Sequence, residues 1–304
     1  MRAAVFDRFG PPEVLRIAGL PDPEPGPGQV RVRVRAAGVQ PFDVRVRRGE
    51  MPWAKVTFPQ TIGQEYSGVI DRLGEGTDGR GFAVGDAVLG STMLAGHASL
   101  VVVPLTDVVR KPDHLDFPTA AGLVAAAQTA SGALRELAVG PADVLLMHAA
   151  AGGVGTVAVQ LARLAGATVI GTASPENHDY LRQIGAVPVT YGKDLPQAVR
   201  AIAVKLPTVA LDAAGGDAVA QSVALGIPLD RIGTIADDKA AADFGARVVR
   251  AGRDPARLAE VVALAARGVV TMPIRAYPLA EVAEAHAAVE ARHGRGKVVL
   301  IVEP

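Results

Sequence analysis

Apolar residues fall into two rhythms along this chain of 304 residues. Up to about residue 120 they come in short runs or at every second position. Ala3 to Phe6, Val14 to Ile17, Val30 to Ala36, Ser67 to Ile70, Ala87 to Leu89 and Ser99 to Val103 therefore predict strands. Gly10-Pro11-Pro12, Gly74-Glu75-Gly76 and Gly79-Arg80-Gly81 predict turns, and residues 21–28 (PDPEPGPG) hold too many breakers for helix or strand. Many short strands joined by glycine turns predict a small, partly closed barrel. From Pro118 the texture changes. Ala120 to Leu137 predicts a helix, and beyond it strands and helices alternate. The strands are Val144–Met147, Thr168–Thr172, Val187–Thr190, Val209–Asp212, Arg231–Ala236 and Ala246–Arg250. The helices start at Val154 and cover Asn177–Ile184, Leu195–Lys205 and Asp217–Leu225. Such alternation builds a parallel sheet covered on both faces. Two more helices, Pro255–Arg267 and Leu279–Ala291, and a strand, Lys297–Val302, follow. Their different texture predicts that the chain after about residue 251 returns to the N-terminal domain.

The stretch from Ala142 to Ala167 organises the rest. Val144 to Met147 reads as a strand buried on both faces. Val154, Val157, Ala158, Leu161 and Ala165 mark one face of a helix. Between them lies Ala150-x-Gly152-x-x-Gly155, a glycine fingerprint whose first glycine is alanine. Strand, glycine turn, helix and strand in this order aim a helix N-terminus at a pyrophosphate. In such units an acid at the end of the second strand binds the ribose 2′-hydroxyl of NAD. Here that place holds Ala173 and then Ser174, and the nearest acid is Glu176. A carboxylate 4 Å from a 2′-phosphate would cost about 4 kcal/mol per unit charge at an effective dielectric of 20. Its absence favours NADP(H).

Composition narrows the field. With 31 basic and 31 acidic residues, attraction to nucleic acid or to an anionic membrane is not favoured. Arg31, Arg33 and Arg35 alternate with valines and read as a solvated strand face. Arg45, Arg47 and Arg48 form a second basic cluster, expected to be wet surface. Cysteine is absent, which excludes disulfides, thiolate metal sites and a thiol nucleophile. His97, His114, His148, His178, His286 and His293 show no paired metal spacing. The start, MRAAVFDRFG, has no apolar signal core, and no run is long enough for a membrane span. A soluble, cytoplasmic protein is expected.

With these pieces placed, the chain resembles the medium-chain dehydrogenase/reductase superfamily, in its zinc-free quinone oxidoreductase and enoyl reductase branch. The resemblance runs through MRAAVFDRFGPPEVL, AAGVQPFDVRVRRG (36–49), GQEYSGVI (63–70), VGDAVLG (84–90), HAAAGGVGTVAVQLAR (148–163) and GKVVLIV (296–302). It implies an α/β protein with a GroES-like β-barrel catalytic domain (1–120, completed by 251–304). A Rossmann doubly wound parallel-sheet domain (121–250) binds NADP(H). Active sites of the family lie in the cleft between the two.

The resemblance also assigns residues. Ala151, Gly152, Gly153, Val154 and Gly155 meet the diphosphate. Thr129 contacts the nicotinamide side, and Ala213, Ala214, Gly215, Ile235 and Ala236 flank its ribose, as does the loop to Gly216. Related reductases grip the 2′-phosphate with Ser, Lys and Tyr near the second strand. Thr172 and Ser174 lie on that strand, Tyr191 matches the Tyr, and Asn177 stands where the Lys would be. His178 or Arg182 then supplies the charge, while Tyr191 reads equally as a packed strand end. Where zinc relatives place a Cys and a His, this chain has Gln40 and Gln64. The chemistry left is hydride delivery to an electron-poor carbon of a quinone or an α,β-unsaturated carbonyl. Gln40 and Asp43 fall on a pocket motif, although Asp43 reads equally as a loop cap. Met51 occupies the place where many enoyl reductases carry a proposed proton-donating Tyr. That leaves water, Tyr66, Lys55 or Asp43 as proton sources, or a reaction such as quinone reduction that needs none from the protein. Trp53 lines an aromatic pocket or packs as core or lid. The readings are an NADPH-dependent quinone or enone reductase, a pathway-specific enoyl reductase of polyketide-like biosynthesis, or a nucleotide-binding sensor with little turnover. A homodimer through the edge strand near Ala246 is implied.

Overall fold

The computed structural model describes residues 1–77, 79–292 and 294–302; His293 lies outside the described residues. Its elements begin with β1 (Arg2–Phe6), β2 (Leu15–Gly19), β3 (Gln29–Val39), α1 (Pro41–Arg47) and β4 (Gln60–Thr61). Next come β5 (Glu65–Leu73), β6 (Ala87–Ser91), β7 (Leu100–Pro104), β8 (Val108–Arg110) and α2 (Phe117–Glu136). The alternating region holds β9 (Val144–His148), α3 (Gly153–Leu164), β10 (Thr168–Ala173), α4 (His178–Gln183), β11 (Val187–Thr190) and α5 (Leu195–Ile202). It continues with β12 (Val209–Asp212), α6 (Ala218–Ala224), β13 (Ile232–Thr234), α7 (Asp238–Phe244) and β14 (Arg247–Val248). The chain closes with α8 (Pro255–Ala266), β15 (Ile274–Pro278), α9 (Val282–Glu290) and β16 (Lys297–Ile301). No helix among the described residues is long and apolar enough to cross a membrane.

Two compact units result. One comprises Met1–Ala125, Asp254–Gly268 and Met272–Pro304; the other comprises Ala126–Arg253 and Val269–Thr271. In the first unit, a seven-stranded sheet runs β15-β16-β3-β5-β6-β8, with β7 also on β3, beside a three-stranded sheet β2-β1-β4. Val30, Val32 and Val34 point into its core with Phe6, Ile62, Tyr66, Val88 and Leu300. The arginines between those valines are not a uniformly solvated face. Arg33 is exposed and Arg35 half-buried. Arg31 is buried and forks onto Asp71 through Nε at 2.9 Å and Nη2 at 3.2 Å. The second basic cluster departs further. Arg45 and Arg48 are exposed, but Arg47 is completely buried and bonds Glu290 of α9. The partner that makes its burial tolerable comes from the far end of the sequence.

The second unit is a six-stranded parallel sheet in the order β11-β10-β9-β12-β13-β14. All five residues of β9 are buried, as an uninterrupted apolar strand requires. Strand order reverses between β9 and β12, the topological switch point where such sheets bind ligands beyond their C-terminal ends. Several elements escape the apolar period. Helix α1 starts with Pro41 at its first position, and α7 is capped by Asp237, whose carboxylate accepts the Ala240 N–H at 2.9 Å. Gly245 ends α7 at φ 75°, in the left-handed region glycine favours.

Candidate functional site

The first site grows out of the β9–α3 turn. Thr172 on β10 pins its start: the Ala149 N–H donates to Thr172 Oγ1 at 3.1 Å and the Ala150 N–H to the Thr172 carbonyl at 2.9 Å. Ala151 is buried behind the turn. A Cβ on Gly155 would stand 2.3 Å from the Ala149 oxygen and 2.6 Å from Ala150 Cα, so only glycine lets α3 sit this close to the strand. Gly152 differs. A Cβ there would meet only the Ala149 oxygen, at 3.4 Å, and otherwise open space. The amides of Gly153, Val154 and Gly155 open α3, where no carbonyl within the helix can accept them. An open glycine before a helix dipole fits a diphosphate.

The register of β10 on β11 gathers a second group. Ala173 pairs with Thr190, which brings the next residues, Ser174 and Tyr191, side by side beyond the strand ends. Asn177 Nδ2 donates to Ser174 Oγ at 3.2 Å, and His178 Nε2 lies 3.4 Å from Thr190 Oγ1. Tyr191 is 56% exposed, which is not how a packed strand end behaves. Arg182 is paired with Asp179 at 2.6 Å.

A third group is gathered only by the fold. Asp212, at the end of β12, is fully buried. Its Oδ1 accepts the N–H groups of Ala214 (2.7 Å) and Gly215 (2.8 Å), and its Oδ2 accepts the Thr234 hydroxyl (2.6 Å). Thr234 Oγ1 in turn accepts the N–H groups of Ala236 and Asp237, both at 3.0 Å. One carboxylate thus fixes both loops that carry Ala213, Ala214, Gly215, Ile235 and Ala236. The readable signal was an acid closing an apolar strand just before two glycines. Beside it, His148 Nε2 meets Ser222 Oγ at 2.9 Å, and burial pushes this histidine down to about 4 while Asp212 opposes the shift. Thr129 lies half-buried on α2 in this same unit.

In the first unit, Gln40 is half-buried and precedes α1. Asp43 is fully buried, and its Oδ2 accepts the Gln40 N–H at 2.9 Å. The cap reading describes it; a direct contact with a substrate does not, because no surface of it is open. Met51 packs on the barrel core, and Trp53 is exposed with its ring 5.3 Å from Phe42. Tyr66, another candidate proton donor, has no open surface. It is fully buried in the core, and burial raises its phenol far above the ordinary range. A Cβ on Gly90 would come within 2.6 Å of its hydroxyl, so that glycine makes room for the ring.

Known proteins share this architecture. The alcohol dehydrogenase GroES-like domain family matches residues 26–150, and the zinc-binding dehydrogenase family matches residues 153–235. The structure of the quinone oxidoreductase from Coxiella burnetii has a TM-score of 0.88 at 30% identity, covering 100% of this chain and 99% of that one. A mycobacterial structure complexed with NADPH has a TM-score of 0.86 at 26% identity, covering 99% of this chain and 100% of that one. Polyketide synthase GfsB from Streptomyces halstedii is 34% identical over 288 residues, 88% of this chain and 5% of the synthase. The fold is therefore that of the two-part medium-chain dehydrogenases. The chain belongs to the medium-chain dehydrogenase/reductase superfamily, in its quinone oxidoreductase branch. It spans about a twentieth of the length of the polyketide synthases, and about half of the human quinone oxidoreductase, that it matches. The residues do not fit the zinc that one matched family is described as binding. Gln40 and Gln64 offer carboxamides, Gln64 Nε2 faces Met93 sulfur at 3.7 Å, and there is no cysteine.

Proposed function

We propose that the chain is an NADPH-dependent reductase that delivers hydride, without zinc, to a quinone or an α,β-unsaturated carbonyl. The observation that carries this reading is the open Gly152 at the start of α3, coupled to a β10 end that offers Ser174 and no carboxylate. The bound nicotinamide supplies the hydride. The amides of Gly153, Val154 and Gly155 hold the diphosphate, and Ser174, His178 and Tyr191 hold the 2′-phosphate. Loops 213–216 and 235–237, tied by Asp212 and Thr234, position the nicotinamide ribose, and Thr129 lies against its carboxamide side. Gln40 offers a side-chain amide to the acceptor oxygen, where negative charge develops. Asp43 acts through Gln40 as its positioning residue, and Met51 and Trp53 give the acceptor an apolar wall. The likeness to GfsB over 288 residues supports a second reading, an enoyl reductase serving one polyketide-like pathway. Either enzyme works as a dimer joined through edge strand β14, both of whose residues are exposed.

NADPH and NADH oxidation should be compared over a panel of quinones and enones. NADPH should be favoured at least tenfold, and Ser174→Asp should reverse the preference, since a carboxylate there opposes the phosphate by about 4 kcal/mol per unit charge. Preference for NADH in the wild type would sink the cofactor assignment. Two glycine variants separate binding from folding. Gly152→Val should keep the wild-type melting temperature while NADPH affinity falls about 100-fold, close to 2.8 kcal/mol. Gly155→Val should lower the melting temperature itself, because its Cβ collides with backbone.

A further inference from the structure

Under α1 the first unit holds a line of ionisable side chains of which only Asp43 has a task in the binding steps above. His97, His286, Asp43 and Arg47 are each at most 1% exposed. His97 Nε2 donates to the Gly38 carbonyl at 3.0 Å and lies 3.9 Å from Asp43 Oδ2. The His97 and His286 rings meet edge to face with centroids 5.6 Å apart. Arg47 bonds Glu290, which also meets Arg48 Nε at 3.0 Å, and Arg48 is 49% exposed. The line thus runs from the surface at Arg48 and Glu290 to the residue that holds Gln40.

Its nitrogens are the telling feature. Among the described residues, no protein group bonds His97 Nδ1, either ring nitrogen of His286, Nε or Nη1 of Arg47, or Gln40 Nε2. Buried polar atoms are rarely left unbonded, and ordered water is their usual partner where protein groups supply none. A purely structural site would be better filled by an apolar ring. Burial holds His97 down to about 4, against its bond to Gly38 and with the Lys297 charge adding to the effect. It holds His286 well below its ordinary value, where any charge placed on His97 and the charge of Arg47 oppose one on His286. Glu13 and Glu290 face Arg47 and offset its charge. Near neutral pH both imidazoles are therefore neutral, each with one N–H and one lone pair. Because Nε2–H of His97 is given to Gly38, its Nδ1 is the accepting side.

We propose that His286 and His97, bridged by ordered water, pass protons from Glu290 at the surface to Asp43 at the start of α1, from which a further ordered water carries one to the reduced acceptor beside Gln40. The proposal rests on the reductase reading. Hydride addition from NADPH, which loses a C–H bond and leaves as NADP+, forms one C–H bond at the β-carbon of an enone, and the C=C electrons move to give an enolate. One proton then forms the second C–H bond. His97 accepts a proton at Nδ1 and releases one from Nε2 toward Asp43 Oδ2. Each proton leaving inward is replaced by one from solvent through Glu290, so the interior keeps its charge. This gives the chain a proton route despite Met51 and a buried Tyr66.

Three measurements test it. A high-resolution crystal structure of the protein should show waters within hydrogen-bonding distance of both His286 nitrogens and His97 Nδ1. The wild-type rate against deuterium fraction of the solvent should curve, as more than one proton in flight requires. His286→Phe should keep the melting temperature and the NADPH dissociation constant while kcat falls tenfold or more, with the KM for NADPH unchanged. If the Phe variant does not fold, His286→Gln takes its place, since a carboxamide there cannot relay. A dry cluster, or a variant with wild-type kcat and a linear deuterium plot, would overturn the path. A wild type that reduces no quinone or enone would defeat the reductase reading instead, and the waters alone would then decide the path.

Discussion

Asp212→Ala should lower the free energy of unfolding by about 3 kcal/mol, the range seen when a buried ionic hydrogen-bond hub is broken. The carboxylate accepts two loop amides and one hydroxyl, and its loss strands all three donors. Asp212→Asn is not a gentle change either. The Thr234 oxygen already accepts two N–H groups, so its hydrogen must be donated, and a carboxamide NH2 facing it is a second donor. Because both ribose-flanking loops hang from this group, NADPH affinity should fall by more than the stability loss alone explains. Urea unfolding and a fluorescence titration on the same variants check both effects. An Asp212→Ala protein that melts with the wild type would mean the loops are held by something else.

Acid should weaken the fold steeply between pH 6.5 and 4. His97 and His148 each titrate at about 4 in the folded chain against 6.5 when exposed, both because burial penalises the charged ring. Above pH 6.5 neither state binds these protons, and their stability contribution is fully present. As pH falls, the unfolded chain protonates first and gains stability by up to about 1.4 kcal/mol per pH unit per histidine. Each of the two should cost on the order of 3 kcal/mol by pH 4, after which the loss levels off. His286 is shifted in the same direction and adds to the slope. Urea midpoints at pH 7, 6 and 5 read the effect, and His286→Phe should flatten the slope. A stability constant across this window would contradict the burial of all three rings.

The nucleotide-binding half was the more legible in sequence, and the reason is local. Strands Val187–Thr190 and Val209–Asp212 carry their whole signal in consecutive apolar residues. The β9–α3–β10 unit adds a glycine pattern that sterics enforce at Gly155. Helix α1 was missed because Val44 and Val46 alternate like a strand, although Pro41 and Asp43 are ordinary helix-start residues. Strand β15 (IRAYP) is a half-exposed edge and shows no clean period. Arg47 looked like surface because nothing near it in sequence announces Glu290, 243 residues away. Beyond an acid closing an apolar strand, Asp212 carries no signal of its role in sequence, since its three donors come from segments that only the fold gathers.

The last strand has a consequence for how the chain is made. β16 pairs with β3, joining Val298 to Val39 across about 260 residues, and its Lys297 lies 2.5 Å from the fully buried Glu65. Until β16 has been made, the Ala36–Val39 end of β3 has one side unpaired, β7 covering only Gln29–Arg33 of it, and Glu65 lacks this counter-ion. The nucleotide-binding sheet can therefore settle before the barrel, which must wait until β16 has been made. Nascent chains should be most open to chaperone capture in that interval, with the unpaired end of β3 as the bait.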